Sequence, residues 1–289
     1  MNKKFIALFL TLILVFSLSA CAASDEIKGS GTEEDPWLCG ATADDDVRVF
    51  VIDNSLWING TGRVMDFEEL EARPWNGVIG DIIGINIFDE LQYVGKNAFK
   101  GAGANADCVD LYLGDGIGAI GDSAFEGANF TDNTDGFEFS TIITLPESVG
   151  SIGARAFADS ELGELYINGA PAVADDAFSG NTCKVYTRNG SGFDRQAYGG
   201  ELEYVTLYAF NIVEDYGTDE ISSESTMYIP ENSEELYNAQ DYCADENYGF
   251  IRYEVVDGDF EISDPTNPEL NIRLTGDVQV KIIYAKVVE

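Results

Sequence analysis

Four segments of the chain share one pattern: YVGKNAFKGA (93–102), AIGDSAFEGA (119–128), SIGARAFADS (151–160) and AVADDAFSGN (172–181). In each, an alanine stands directly before a phenylalanine, and an aliphatic residue stands five positions before that phenylalanine. The spacing between copies is irregular, as it is in repeat proteins that carry loop insertions. One such unit is too small to bury its own apolar face, so the pattern predicts units that stack and share a continuous core.

A short alternating run precedes each segment, at 85–87, 111–113, 143–145 and 165–167. Alternation predicts a strand whose first and last residues face the core and whose central residue faces solvent. Stacking would align the solvent-facing residues in three rows. The central row is Asn86, Tyr112, Thr144 and Tyr166, and the rows beside it are Gly84, Asp110, Ile142 and Glu164, and Phe88, Gly114, Pro146 and Asn168.

These rows form a candidate binding face, because aromatic and apolar side chains on an exposed sheet are suitable anchors for a partner. The candidate contact residues are Asn86, Tyr112, Thr144, Tyr166, Phe88, Asp110, Ile142 and Glu164. The expected partner is an unidentified protein or glycan. The plainer alternative is a solvated sheet whose tyrosines reflect strand propensity alone.

The repeat resembles the BspA-like leucine-rich repeat, whose units read roughly L-x-I-P-x-S-V-x-x-I-G-x-x-A-F-x-x-C. The third unit, ITLPESVGSIGARAF (143–157), is the closest match, and the resemblance covers about residues 82–187. It implies a four-unit leucine-rich-repeat solenoid, α/β-type or mainly β, over residues 82–203. The hairpin pattern at 47–62 is similar to segments that precede these repeats, so residues 33–81 are predicted to form an N-terminal β cap.

The first 21 residues have the features of a lipoprotein signal peptide. Lys3 and Lys4 precede an apolar run that is too short for a comfortable membrane span, and Leu18-Ser19-Ala20-Cys21 follows it. Similarity to a lipobox implies that Cys21 is acylated and that residues 22–32 are a tether. The chain is then expected on the extracellular face of the cell membrane, or on the outer membrane of a host with two membranes. An ordinary secretory signal that ends near a cysteine is the alternative.

The net charge and the cysteine content limit the kinds of molecule that the chain is expected to bind. The formal net charge is -36, so the chain should repel nucleic acid. The simplest explanation of the many acidic residues is that they keep the protein soluble. Ca²⁺ binding by these residues is the more specific alternative, and it stays open. Four cysteines follow Cys21, namely Cys39, Cys108, Cys183 and Cys243, and their wide spacing makes metal ligation a poor expectation. Disulfides and free thiols both remain open.

Residues 204–289 are predicted to form a separate all-β module, because alternating runs recur from Val205 onward. Gly276-Asp277 lies between two such runs and predicts a two-residue hairpin turn. The pattern leaves open whether this module is a small β-sandwich or an extended cap on the repeats.

Catalysis is not expected. The chain has no histidine, which excludes the Ser-His-Asp triad and most catalytic zinc sites. GIGAIG (116–121) fits a dinucleotide-binding pattern, but SVGSIG (148–153) has the same repeat register, so these glycines serve turns and no cofactor is expected. A cell-surface binding or adhesion protein is therefore predicted. The alternatives are a structural spacer that presents the C-terminal module and, with less support, a carboxylate-based glycoside hydrolase.

Overall fold

The computed structural model describes residues 27–88, 90–132, 139–140, 142–218, 221–243 and 247–287. The predicted signal peptide, the lipidation site Cys21 and residues 22–26 of the tether lie outside the described residues.

The described chain is mainly β, which is one of the two fold classes expected. Two short 3-10 turns lie at Leu70–Ala72 and Ile79–Asp81. Across the described ranges, no helix is long and apolar enough to cross a membrane. The strands are β1 (Trp37–Leu38), β2 (Asp46–Ile52), β3 (Ser55–Arg63), β4 (Gly84–Ile87), β5 (Leu91–Val94), β6 (Asp110–Leu113), β7 (Ala119–Ile120), β8 (Thr131–Asp132), β9 (Phe139–Ser140), β10 (Ile142–Leu145), β11 (Ser151–Ile152), β12 (Glu164–Ile167), β13 (Ala172–Val173), β14 (Thr182–Arg188), β15 (Glu201–Thr218), β16 (Ile221–Pro230), β17 (Glu235–Asn238), β18 (Tyr248–Asp257), β19 (Glu269–Ile272) and β20 (Val278–Lys286).

Two parallel ladders run through the repeat region. In the first ladder, β4 pairs with β3 on one side and with β6 on the other. Farther along, β10 pairs with β12, β12 with β14, and β14 with the start of β15, all in parallel. The four predicted runs lie inside β4, β6, β10 and β12. In the second ladder, β5, β7, β11 and β13 pair in parallel, and they contain the aliphatic residue of each repeat, such as Ile120 and Ile152. Each unit therefore contributes two strands, and the ladder extends beyond the four units found in the sequence.

The repeated phenylalanines form one buried stack. Phe99, Phe125, Phe157 and Phe178 are fully buried, and adjacent rings lie nearly parallel with centroids 5.1–5.7 Å apart. Backbone bonds hold this register, because the N–H of Phe125 donates to the carbonyl oxygen of Ala156 at 2.8 Å and its neighbours repeat that bond. Offset stacking adds about 0.5–1.5 kcal/mol per pair beyond the burial of apolar area.

Aromatic residues outside the four repeats end this stack. Trp75 lies 5.9 Å from Phe99 in a stacked arrangement, and its indole N–H donates to the carbonyl oxygen of Ala98 at 2.8 Å. At the other end, Tyr198 meets Phe178 edge-on at 6.4 Å. Arg73 is buried beside Trp75 and donates to backbone carbonyl groups, which satisfies its guanidinium at the N-terminal end of the stack.

The C-terminal module is joined to the repeats by a continuous strand. The predicted boundary near residue 203 falls inside β15, which pairs with β14 up to Leu207 and then with β16 and β20. Two separate cores flank this region: the first includes Tyr198, with Tyr204 packed against it, and the second begins at Phe210. The cores are thus distinct, but the backbone passes between them without a linker.

The predicted hairpin turn at Gly276-Asp277 is wrong. The strand before it, β19, pairs with β17, and the strand after it, β20, pairs with β15 and β18. Asp277 instead ties the two regions together: its carboxylate accepts hydrogen bonds from the backbone N–H of Ala209 at 2.8 Å and from the side-chain amide of Asn189 at 3.2 Å.

Candidate binding face

The outer face is the side of the first ladder that points away from the core. Strand register places Phe50 opposite Trp57, Trp57 opposite Asn86, and Asn86 opposite Tyr112. Farther along the ladder, Thr144 lies opposite Tyr166 and Tyr166 opposite Tyr186. The central row of this face consists of Phe50, Trp57, Asn86, Tyr112, Thr144, Tyr166 and Tyr186.

The structure places all eight candidate contact residues on this face. Asn86, Tyr112, Thr144 and Tyr166 lie in the central row, Asp110, Ile142 and Glu164 in one flanking row, and Phe88 just beyond the end of β4. Tyr112 is 49% exposed and Ile142 is 59% exposed, so both present substantial apolar surface. Asp110 and Thr144 are exposed, whereas Asn86, Phe88, Tyr166 and Glu164 are half-buried.

The first aromatic patch comprises Phe50, Trp57, Phe88 and Tyr112. The rings of Trp57 and Phe88 stack with centroids 5.7 Å apart, and Phe88 meets Tyr112 at 6.0 Å. Phe50 is 7% exposed but belongs to neither core, because it lies on the outer side of its strand. The rings of Trp57, Phe88 and Tyr112 therefore contact one another on the outside of the sheet.

Within the described part of the chain, two polar side-chain atoms at or beside this patch have no hydrogen-bond partner. They are the indole nitrogen of Trp57 and the side-chain oxygen of Asn59, and both are buried. Trp57 and Asn59 are two residues apart on β3, so their side chains leave the same face of the strand. An unpaired buried donor or acceptor costs about 1–3 kcal/mol, so these two atoms lower the stability of this part of the sheet.

The second aromatic patch is the pair Tyr166 and Tyr186. Their rings are almost parallel with centroids 4.4 Å apart, and the hydroxyl of Tyr186 donates to a carboxylate oxygen of Glu164 at 3.0 Å. Burial and this hydrogen bond raise the pKa of Tyr186 to about 12. The hydroxyl is therefore neutral at physiological pH and fixed by its acceptor.

The two patches lie on separate hydrogen-bonded sheets in the described part of the chain. The strands β6 and β10 are neighbours, but β6 pairs with β4 and β10 pairs with β12. The hairpin of β8 and β9 is inserted in the chain just before β10. This insertion accounts for the longest interval between the repeated phenylalanines.

Charges around the face are mostly acidic. The flanking row contains three acidic residues, Asp110, Glu164 and Glu203, and one lysine, Lys184, which lies between Glu164 and Glu203. Arg48 also lies on this side, but its guanidinium is paired with Asp46 at 2.8 Å. An approaching partner therefore meets aromatic surface bordered by negative charge.

Three aromatic members of the central row were missed by the sequence interpretation: Phe50, Trp57 and Tyr186. Phe50 and Trp57 lie in residues 33–81, which were assigned to the N-terminal cap. The alternating pattern there predicts strands but does not indicate which other strand each one pairs with. Polar and apolar residues alternate around Tyr186 as they do in the four earlier runs, so a further strand with Tyr186 on the outer face could have been predicted from the sequence.

Neither metal nor disulfide chemistry is visible in the described residues. Cys39, Cys108, Cys183 and Cys243 form no disulfide bond with one another, and no group of three or more His, Cys, Asp or Glu side chains converges there. Burial raises the pKa of the Cys39 thiol to about 12 and that of Cys183 to about 11, so both are protonated core residues.

Comparisons with known proteins give little similarity. No protein-family model and no curated protein matches the chain. Among solved structures, the chain is similar to a leucine-rich repeat protein from Eubacterium ventriosum, with 16% sequence identity and a TM-score of 0.35. That match covers 51% of this chain and spans 43% of the other protein.

Proposed function

We propose that the chain is a non-enzymatic binding module in which a BspA-like leucine-rich-repeat solenoid presents its outer face to a protein or glycan. The stacked units supply a rigid scaffold, because the second ladder bonds each unit to the next and backbone hydrogen bonds also join the turns that carry the phenylalanines. A rigid face loses little conformational freedom on binding, which favours affinity.

One observation supports this proposal above the others: large aromatic side chains lie on the outer side of a sheet whose inner side already forms a complete core. Trp57, Phe88 and Tyr112 cluster there, and Tyr166 with Tyr186 forms a second patch. Tryptophan and tyrosine are enriched at the energetic centres of interfaces. Exposed aromatic clusters lower solubility, so a solvated face has no use for them.

Location at the cell surface is part of the same proposal. The lipobox-like sequence at Cys21 would anchor the chain, and acyl chains contribute about 0.8 kcal/mol per buried methylene. A surface-anchored module with an exposed aromatic face is suited to adhesion or ligand capture. The alternative role is a spacer that presents residues 204–289.

The test is a binding screen of residues 22–289 against host surface proteins and a glycan array. For the partner identified, Tyr112→Ala and Tyr166→Ala should each raise the Kd at least about tenfold, as expected for anchors at the centre of an interface. The matched control is Tyr242→Ala, because Tyr242 is 60% exposed and lies outside the repeats. Unchanged affinity in both face variants, with normal thermal unfolding, would reject the outer face as the binding site.

A further inference from the structure

The outer face continues onto the C-terminal module and contains a polar hollow there. The strands β16 and β20 flank β15 and place Thr226 and Gln279 on either side of Asn211. Val213 and Glu224 lie opposite each other in the next row. Together these residues line a depression of about 370 Å³, within the range of about 300–1,000 Å³ that ligand sites occupy.

The side chains of the hollow are arranged as hydrogen-bonding groups rather than as a charged site. The hydroxyl of Thr226 donates to the side-chain oxygen of Asn211 at 2.9 Å, and the amide of Asn211 donates to the carbonyl oxygen of Val278 at 3.2 Å. Asn211 is thereby fixed, with one amide hydrogen to spare. In the described chain, the amide of Gln279 has no partner, so it offers both a donor and acceptors.

An exposed aromatic ring borders the hollow. Tyr228 lies two residues from Thr226 on the same side of β16, a distance of about 7 Å along a strand. Its ring is stacked under the guanidinium of Arg188 at 4.5 Å and is 40% exposed. An aromatic surface beside carboxamide and hydroxyl groups suits a ligand that has both apolar C–H surface and hydroxyl groups.

The charged groups around the hollow favour a neutral ligand. Lys281, which lies opposite Val213, is paired with Asp215 at 2.9 Å, and the guanidinium of Arg188 lies over the ring of Tyr228 and 3.5 Å from a carboxylate oxygen of Glu147. Glu224 adds an exposed carboxylate in a chain with a net charge of -36. An anionic sugar would be repelled, whereas the hydroxyl groups of a neutral sugar can donate to Glu224.

We propose that this hollow, together with Tyr228, is a binding site for a neutral glycan. Asn211, Thr226, Gln279 and Glu224 would bond its hydroxyl groups, and Tyr228 would contact a neighbouring sugar ring. The site is distinct from the central row of the repeats, so it stands whether or not that row binds a partner.

The experiment titrates residues 22–289 with neutral gluco-, galacto-, manno- and xylo-oligosaccharides and with uronate and sulfated sugars. Calorimetry gives the affinity, and amide chemical shifts locate the site. We expect a neutral oligosaccharide to shift resonances of β15, β16 and β20. Tyr228→Ala should weaken its binding about tenfold or more, and Gln279→Ala about fivefold.

The matched control is Tyr242→Ala, which removes an exposed tyrosine outside both the repeats and the hollow and should leave the affinity for the oligosaccharide unchanged. Tyr112→Ala is measured beside it to show whether the central row of the repeats also binds the sugar. Glu224→Gln keeps the size of the side chain and should reduce any discrimination against uronates. The proposal is overturned if no neutral oligosaccharide binds at millimolar concentration, if an acidic sugar binds more tightly, or if Tyr228→Ala and Gln279→Ala bind as well as the wild type.

Discussion

Replacing Phe125 with alanine tests whether the stacked phenylalanine rings are the core of the repeat region. Phe125 is fully buried and stacks on Phe99 at 5.5 Å and on Phe157 at 5.1 Å. Removing a buried phenylalanine ring from a core costs about 3–5 kcal/mol, and the cost is greatest where the surroundings cannot close the cavity. Backbone bonds on both sides fix the neighbouring units, so we expect a loss of about 4 kcal/mol.

The tryptophans allow this loss to be assigned to one core. Trp37, Trp57 and Trp75 all lie in the N-terminal part, and Trp75 stacks on the phenylalanine ladder itself. Urea unfolding followed by tryptophan emission therefore reports on the first core, while far-UV circular dichroism reports on both. With a slope of about 2 kcal/mol per molar urea, the midpoint of the tryptophan transition should fall by about 2 M.

Phe125→Leu is the graded comparison, since it retains apolar volume and loses the ring stacking. We expect it to cost about 1–2 kcal/mol. The reasoning fails if Phe125→Ala costs less than about 2 kcal/mol in the tryptophan-monitored transition, or if the leucine variant is as unstable as the alanine variant.

Two further predictions concern ionisable groups. Burial alone would raise the pKa of Glu126, but hydrogen bonds from Arg155 and Lys100 lower it to about 2. Glu126→Gln should therefore lower the free energy of unfolding in urea by about 1–3 kcal/mol at neutral pH. The difference between wild type and variant should be complete above pH 4.5 and should disappear as the pH falls toward 2. Equal stability of the two proteins at pH 7 would contradict this prediction. Burial raises the pKa of Tyr186 and of Tyr253 to about 12, so the stability that these neutral hydroxyls contribute should be lost as the pH rises from about 10 toward 12, and the melting temperature should fall less steeply over that range in Tyr186→Phe.

The stacked units could be predicted because their pattern is local and repeated. Each copy independently specifies an inward aliphatic residue and an inward phenylalanine, so a common register is the only arrangement that buries all four. The C-terminal end of the stack is only weakly marked in the sequence. Ala197-Tyr198 repeats the alanine-aromatic pair of the earlier turns, but without the rest of the repeat pattern. The resemblance to the repeat family covers only about residues 82–187, yet Tyr198 packs against Phe178.

Other features depend on pairing between distant residues, which periodicity does not encode. Alternation in β3 fits a simple antiparallel hairpin, but β3 also pairs in parallel with β4 and brings Trp57 beside Asn86. The two-residue strands such as β7 are too short to give a periodic signal. The residues of the outer face were consequently predicted in the middle of the ladder and missed at both of its ends.

Continuity of β15 determines how the binding and spacer hypotheses can be separated. Deleting residues 205–289 would seem a direct test of the C-terminal module, but it would cut β15 within its pairing to β14, which extends from Glu201 to Leu207. Tyr186 would lose its neighbour Val205, and the junction bonds of Asp277 would disappear. Loss of binding after that deletion would therefore implicate the repeats and the module equally. Point substitutions in each half, Tyr112→Ala and Tyr228→Ala, leave β15 whole, and the half whose variant loses the partner is the half that binds it.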